Sequence, residues 1–182
     1  MPSSLARTLL LTFFAGGLTG THTLCAQSLS DAHIIVHKAQ RLLEVYAGSQ
    51  LLKSYRVGLG LNPVPAKRRQ GDHATPEGDY IVCSKNPAST YYMALVLNYP
   101  NAADAGRGVA EGLISARRQE QITAAAKLGH CPPFDTALGG EVEIHGMGAQ
   151  SDWTWGCIAL DNAAIRELYA WIPLGTRVTI TP

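Results

Sequence analysis

The stretch IHGMGAQSDWTWGCIALDN, from Ile144 to Asn162, decides how this chain is read. Just before it, Val142 and Ile144 alternate with Glu141, Glu143 and His145, as a half-buried strand requires, so His145 is expected on the polar face. A loop of small and polar residues follows and leads to Thr154-Trp155-Gly156-Cys157. Asp161-Asn162 then offers a helix cap, and Ile165, Leu168, Tyr169 and Ile172 recur on one helical face, which predicts a helix to about Trp171. Pro173 and Gly175 break it, and Arg177 to Thr181 alternates as a last strand. Strand, loop, helix and strand thus surround one histidine and one cysteine.

Upstream, short runs rich in branched and aromatic residues are separated by Gly, Pro and Asn, the signature of strands and turns. Strands are expected at His33 to Val36, Arg41 to Tyr46, Leu51 to Gly58, Gly78 to Cys83 and Tyr91 to Leu97, with a hairpin at Ala47-Gly48-Ser49. Tyr91 and Tyr92 should then alternate across their strand, one packed and one facing out. Asn62 to Pro76 has three prolines, Lys67-Arg68-Arg69 and Gly71-Asp72, a composition that suits an exposed loop lining a cleft. Between Ser115 and Leu128 good helix formers dominate, and Gly129 stands where such a helix would stop. No repeat or linker divides the chain. Its composition predicts one β-rich domain with a few helices, an α+β arrangement over residues 27–182.

With 182 residues the chain is long enough to bury a hydrophobic core, and 15 basic against 14 acidic residues exclude the electrostatic footprint of a nucleic-acid binder. Residues 1–26 differ in character. Arg7 is their only charge, and Thr8 to Leu18 is mostly apolar but shorter than the ~20 residues that span a bilayer. A secretory signal cleaved near Ala26 is expected, with a retained anchor as the alternative, and export places the protein in the periplasm. Removing the signal takes Cys25 and leaves Cys83, Cys131 and Cys157. An oxidising compartment favours pairing, whereas a catalytic thiol stays free. Cys83 with Cys131 is the pair to test, two ordinary buried cysteines being the alternative. Without a CxxC pattern, no metal site is expected.

Thiol chemistry needs a nucleophile, a base to activate it, and donors for the charge that develops on the attacked carbonyl oxygen. Cys157 and His145 supply the first two, and the backbone amides around Gly156 and Cys157 the third. The glycine before Cys157 and the capped helix after it predict an electropositive setting for the thiol. Thr154 either hydrogen-bonds the surroundings of the cysteine or caps the turn. Trp155 either packs or stacks on substrate. Asp152 is expected in a turn and outside any triad. Lys67, Arg68 and Arg69 are expected on a solvated loop, with carboxylate binding as the alternative, and His73 could face the cleft.

These residues resemble a known family, the L,D-transpeptidase catalytic domain or YkuD domain, whose signature is His-Gly, a loop, and Ser/Thr-x-Gly-Cys. The resemblance extends to VHKAQRLLEVYAGSQLLKSYRVGLG, to TPEGDY at Thr75 to Tyr80 and to YPN at Tyr99 to Asn101. It implies a β-sandwich-like fold, Cys157 as the acylated nucleophile, His145 as its base and Gly146 beside it, the base being oriented by a backbone carbonyl instead of an aspartate. It implies a wall tetrapeptide as acyl donor, an amine as acceptor, and no cofactor. Peptidoglycan stem peptides are the expected partner of a monomer. Many members carry histidine before Gly-Cys and arginine or asparagine two residues after Cys, where this chain has Trp155 and Ala159. A subgroup with GCIAL-like or GCFAM-like endings resembles the chain more closely, and some of its members are hydrolases that release lipoprotein from the wall. Transfer, hydrolysis of wall-linked peptides or lipoprotein, and a non-catalytic wall-binding module on the same fold therefore stay open.

Overall fold

The computed structural model describes residues 31–182, so the expected signal segment and Cys25 lie outside the described residues. Eight strands and three helices follow one another: β1 (Ala32–His37), β2 (Leu42–Ala47), β3 (Gln50–Arg56), β4 (Gly78–Asn86), β5 (Ala94–Leu97), α1 (Ala102–Ala110), α2 (Ala116–Lys127), β6 (Glu143–His145), β7 (Ile158–Ala159), α3 (Asn162–Trp171) and β8 (Arg177–Thr181). The strands hydrogen-bond in the order β3-β2-β1-β8-β4-β5-β6-β7.

β4 joins two halves of this sheet. Its first part, Gly78 to Ile81, pairs with β8, and its second part, Val82 to Asn86, pairs with β5 after a register shift between Val82 and Ser84. A bulge bends a strand and increases its local twist, which is how one strand can serve both halves. At the far edge, Gly58 bridges Ala159 and Gly60 bridges Thr154, tying the chain after β3 to the neighbourhood of β7.

The first half follows simple alternation. Ile34 and Val36 on β1, Leu43 and Val45 on β2, and Val178 and Ile180 on β8 are buried, while their neighbours are less so. Each such side chain contributes about 1.5–3 kcal/mol by leaving water. β2 turns into β3 through Gly48-Ser49, with Ala47 opposite Gln50, as the hairpin signal predicts. The second half is buried more deeply: all four residues of β5 are buried. Leu95 and Leu97 join the common core with Ile144, Ile158, the α3 residues Ile165 and Leu168, and Ile172 just past the end of α3, whereas Ala94 and Val96 face the other way.

Three expectations need correction. The strand expected from Tyr91 begins only at Ala94, because Tyr92 has a left-handed backbone (φ 78°) that an extended strand cannot contain. A second helix, α1, precedes the expected one. Asn101 caps it by accepting from the amides of Ala103 and Asp104, while Asp104 returns a bond to the Asn101 amide. Asp161 does occupy the position before α3 but makes no side-chain cap; its carboxylate accepts from Gln150 Nε2 at 2.9 Å and the Ala149 amide at 3.4 Å.

Cys83 and Cys131 form a disulfide across 48 residues of sequence, closing a loop that contains α1 and α2. In the chain-entropy view a loop of that length contributes about 4 kcal/mol by restricting the unfolded chain. Cys157 is the free cysteine among the described residues.

Candidate active site

β6 and β7 pair in parallel, with Ile144 beside Ile158 and His145 beside Ala159. Ile144 and Ile158 point into the core. Side chains alternate along a strand, so Glu143 and His145 on β6, and Cys157 immediately before β7, emerge on the opposite face. The same register carried one step back sets Glu143 beside Cys157, and the Glu143 amide donates to Cys157 Sγ at 3.4 Å. Base and nucleophile therefore share a three-strand face with Ala94 and Val96 of β5.

His145 is not on an open polar face. It is 1% exposed, because Tyr91 stacks on its ring at 4.6 Å and Trp153 closes in edge-on at 5.5 Å. Burial lowers its pKa below the ordinary imidazole value, and the bond to Gly146 only partly opposes this. His145 Nδ1 lies 2.8 Å from the Gly146 carbonyl oxygen. A carbonyl can only accept, so Nδ1 carries the proton and Nε2 is left with a lone pair for general-base work. The Met147 amide, in the same peptide as the Gly146 carbonyl, donates to Asn162 Oδ1 at 2.8 Å and so fixes the peptide that orients the base, while the Gly146 amide donates to the Tyr91 carbonyl at 3.0 Å.

The cysteine is a thiol at rest. Burial pushes its pKa up to about 12; the Glu143 amide pulls it down, the Glu143 charge pushes it up, and Lys67 pulls it down. In place of the electropositive setting expected from the glycine and the capped helix, the charges that act on the thiol are mixed: Glu143 and Glu141 push its pKa up and Lys67 pulls it down. Sγ donates to the Glu141 carbonyl at 3.5 Å, and its hydrogen bonds do not include the imidazole.

Thr154 fills both of the roles weighed for it: its hydroxyl donates to the Cys157 carbonyl at 2.7 Å and accepts from the Gly156 amide at 3.2 Å. The Gly156 amide is thereby occupied, and the Cys157 amide, which donates to no described residue, is the one available for an oxyanion. Gly156 has φ 131°, and a Cβ there would lie 2.7 Å from the Ala74 carbonyl oxygen, so only glycine fits. Trp155 is 75% exposed and stacks on His73 at 5.6 Å, forming an aromatic rim one residue from Gly156.

The loop residues divide. Lys67 is not solvated: it is 4% exposed and paired with Asp72 at 2.9 Å. Arg68 and Arg69 line a cavity of about 360 Å³ with Asn62, Asp72 and Ala74. Asp152 stays outside the dyad, since its carboxylate binds Arg41 and the Leu59 amide. Sequence reasoning missed Trp153 as a wall of the base, Tyr91 as its stacking partner and Glu143 as the neighbour of the nucleophile. For Glu143 the alternation of β6 already put it on the same face as His145.

Residues 31–180 match the L,D-transpeptidase catalytic domain, YkuD. The chain belongs to this family. The L,D-transpeptidase relatives include the Escherichia coli (strain K12) protein named "Putative L,D-transpeptidase YafK", 36% identical over 85 residues, which are 43% of this chain and 35% of that protein. Among solved structures, the helical cell shape determining protein Pgp2 (K307A mutant) from Campylobacter jejuni matches 82% of this chain and 46% of its own, with TM-score 0.57 and 24% identity. Bd1075 from Bdellovibrio bacteriovorus matches 84% of this chain and 48% of its own, with TM-score 0.55 and 23% identity. These two share the fold. The chain spans less than half the length of each of these relatives.

Proposed function

We propose that this YkuD domain is a peptidoglycan L,D-transpeptidase that works through an acyl-enzyme on Cys157. The observation that carries the reading is the imidazole of His145, held by the Gly146 carbonyl with Nε2 free, on the same face of the β6–β7 pair as Cys157. Family membership and the name of Pgp2, a cell shape determining protein, support a wall substrate. The expected export signal supports a periplasmic location.

A thiol with a pKa near 12 is not deprotonated in advance, so proton transfer accompanies attack. His145 Nε2 takes the thiol proton as Sγ bonds to the carbonyl carbon of the tetrapeptide's third residue. The Cys157 amide donates to the oxyanion. Collapse breaks the bond to the terminal residue, whose amine leaves with the proton from His145. Hydrogen bonds of this kind are often long before substrate arrives, which fits a thiol and an imidazole that are not hydrogen-bonded to each other here.

Hydrolysis is the second reading, favoured by Trp155 and Ala159 where many relatives carry histidine and arginine or asparagine. Both readings share the acylation step. Incubating isolated walls with the protein and separating the fragments tells them apart. New three-to-three links or amine-exchanged tetrapeptides are expected, whereas trimmed peptides or released lipoprotein alone would establish the hydrolase. Walls left unchanged would favour a binding module.

A further inference from the structure

Seven carboxylates in the described chain are buried or half-buried, and six of them have partners. Glu44 accepts from Tyr46, Asp72 from Lys67, Glu77 from Lys38, Asp104 from Tyr80 and Arg107, Asp152 from Arg41, and Glu167 from Lys53 and Tyr55. The seventh, Glu143, has no hydrogen bond or ion pair from its carboxylate to any described residue, and it stands beside the nucleophile. Taking a carboxylate partly out of water without a partner is costly, and here it also works against forming the thiolate. Nothing in the fold gains from that arrangement. A cationic group brought by the substrate would.

We propose that Glu143 receives the acceptor's ammonium group beside the Cys157 thioester and so directs the acyl group to an amine instead of water. This rests on the acyl-enzyme reading above and adds the residue that acts in its second half-reaction. Glu143 lies across from Cys157 on the face that carries His145, so a group held by its carboxylate stands next to the thioester carbon. The Lys67 ammonium is already paired with Asp72, which leaves the carboxylate free for the incoming cation. The acceptor arrives as R–NH3⁺ and gives one proton to Glu143. The free amine attacks, the C–N bond forms and the C–S bond breaks. The amine's second proton passes to His145 Nε2 and on to the departing sulfur. Glu143 then returns its proton to water, and all three ammonium hydrogens are accounted for: one on the new amide, one on sulfur and one released.

The test uses the full chain with a wall tetrapeptide as donor and a diamino-acid tripeptide as acceptor, following the acyl-enzyme by intact mass and both products by chromatography. In Glu143→Gln, acyl-enzyme should still form, because the variant removes a charge that opposes the thiolate. The ratio of transfer to hydrolysis should fall about tenfold or more, with a raised KM for the acceptor, as expected for losing one charged hydrogen bond. Glu143→Asp should recover part of that ratio. An unchanged ratio in Glu143→Gln, equal losses of acylation and transfer, or a native protein that sends the acyl group only to water would each overturn the proposal. Absence of any acyl-enzyme in the native protein would instead bring down the reading on which it rests.

Discussion

The two halves of the sheet are built from the same materials to different ends. Around β1, β2 and β8 the core side chains alternate with more exposed ones, and nothing chemical is attached to them. Around β5, β6 and β7 the strands are shorter, β5 is buried on both faces, and the face turned away from the core carries Glu143, His145 and Cys157. One half has core on a single side and supplies stability; the other keeps a buried base and a half-buried thiol in fixed relation. Low dielectric surroundings hold both groups neutral, which suits a proton transfer concerted with attack.

That division predicts separable losses. In the chemical half, Cys157→Ala should lower acylation by about 10⁴-fold or more while leaving the urea midpoint nearly unchanged, since only the sulfur is removed. His145→Ala should lower it by about 10²–10⁴-fold, read from the rate of adduct formation by intact mass. A residual rate within a few-fold of native would place the base elsewhere. In the other half, Ile34→Ala should cost about 2–5 kcal/mol in urea unfolding and leave the acylation rate of the folded fraction unaltered. If that variant lost activity faster than it lost stability, the halves would not be separable. Gly156→Ala combines both effects: the left-handed backbone alone should cost about 1–3 kcal/mol, and the clash with Ala74 should displace the Cys157 amide and slow acylation.

The pH profile is the finest probe. Protonated His145 cannot accept the thiol proton, so acylation should fall as pH drops, with a midpoint below the ordinary 6.5 because burial lowers its pKa. With the thiol near 12, the rate should stay flat from neutral to moderately alkaline pH. A rate that instead rose with a midpoint near an ordinary thiol would mean that a preformed thiolate is the nucleophile.

Much of the first half was legible because each strand meets core on one face only. β8 runs from Arg177 to Thr181 as its alternation predicts, and the β2–β3 hairpin turns at Gly48-Ser49. α3 likewise buries Ile165 and Leu168, two of the residues its period singles out. α1 was hidden for a physical reason. Gly106 and Gly108 lower helix propensity, yet Gly108 sits so close to Leu138 that a Cβ would come within 2.9 Å of it. β7 has only two residues and carries no period at all. At the site, the strand-loop-cysteine order pointed to His145 and Cys157, but the covering of His145 by Tyr91 and Trp153 depends on loops distant in sequence. Lys67 was misjudged for the same reason, since its burial is set by Asp72 and the packing around Gly139.

The most direct measurement is the intact mass of the protein after mixing with a wall tetrapeptide, followed by mapping of the modified peptide. The native chain should gain the mass of the tripeptide acyl group on Cys157, Cys157→Ala should gain none, and His145→Ala should gain it far more slowly. An adduct on any other residue, or one of equal yield in Cys157→Ala, would contradict the assignment of Cys157 as the nucleophile.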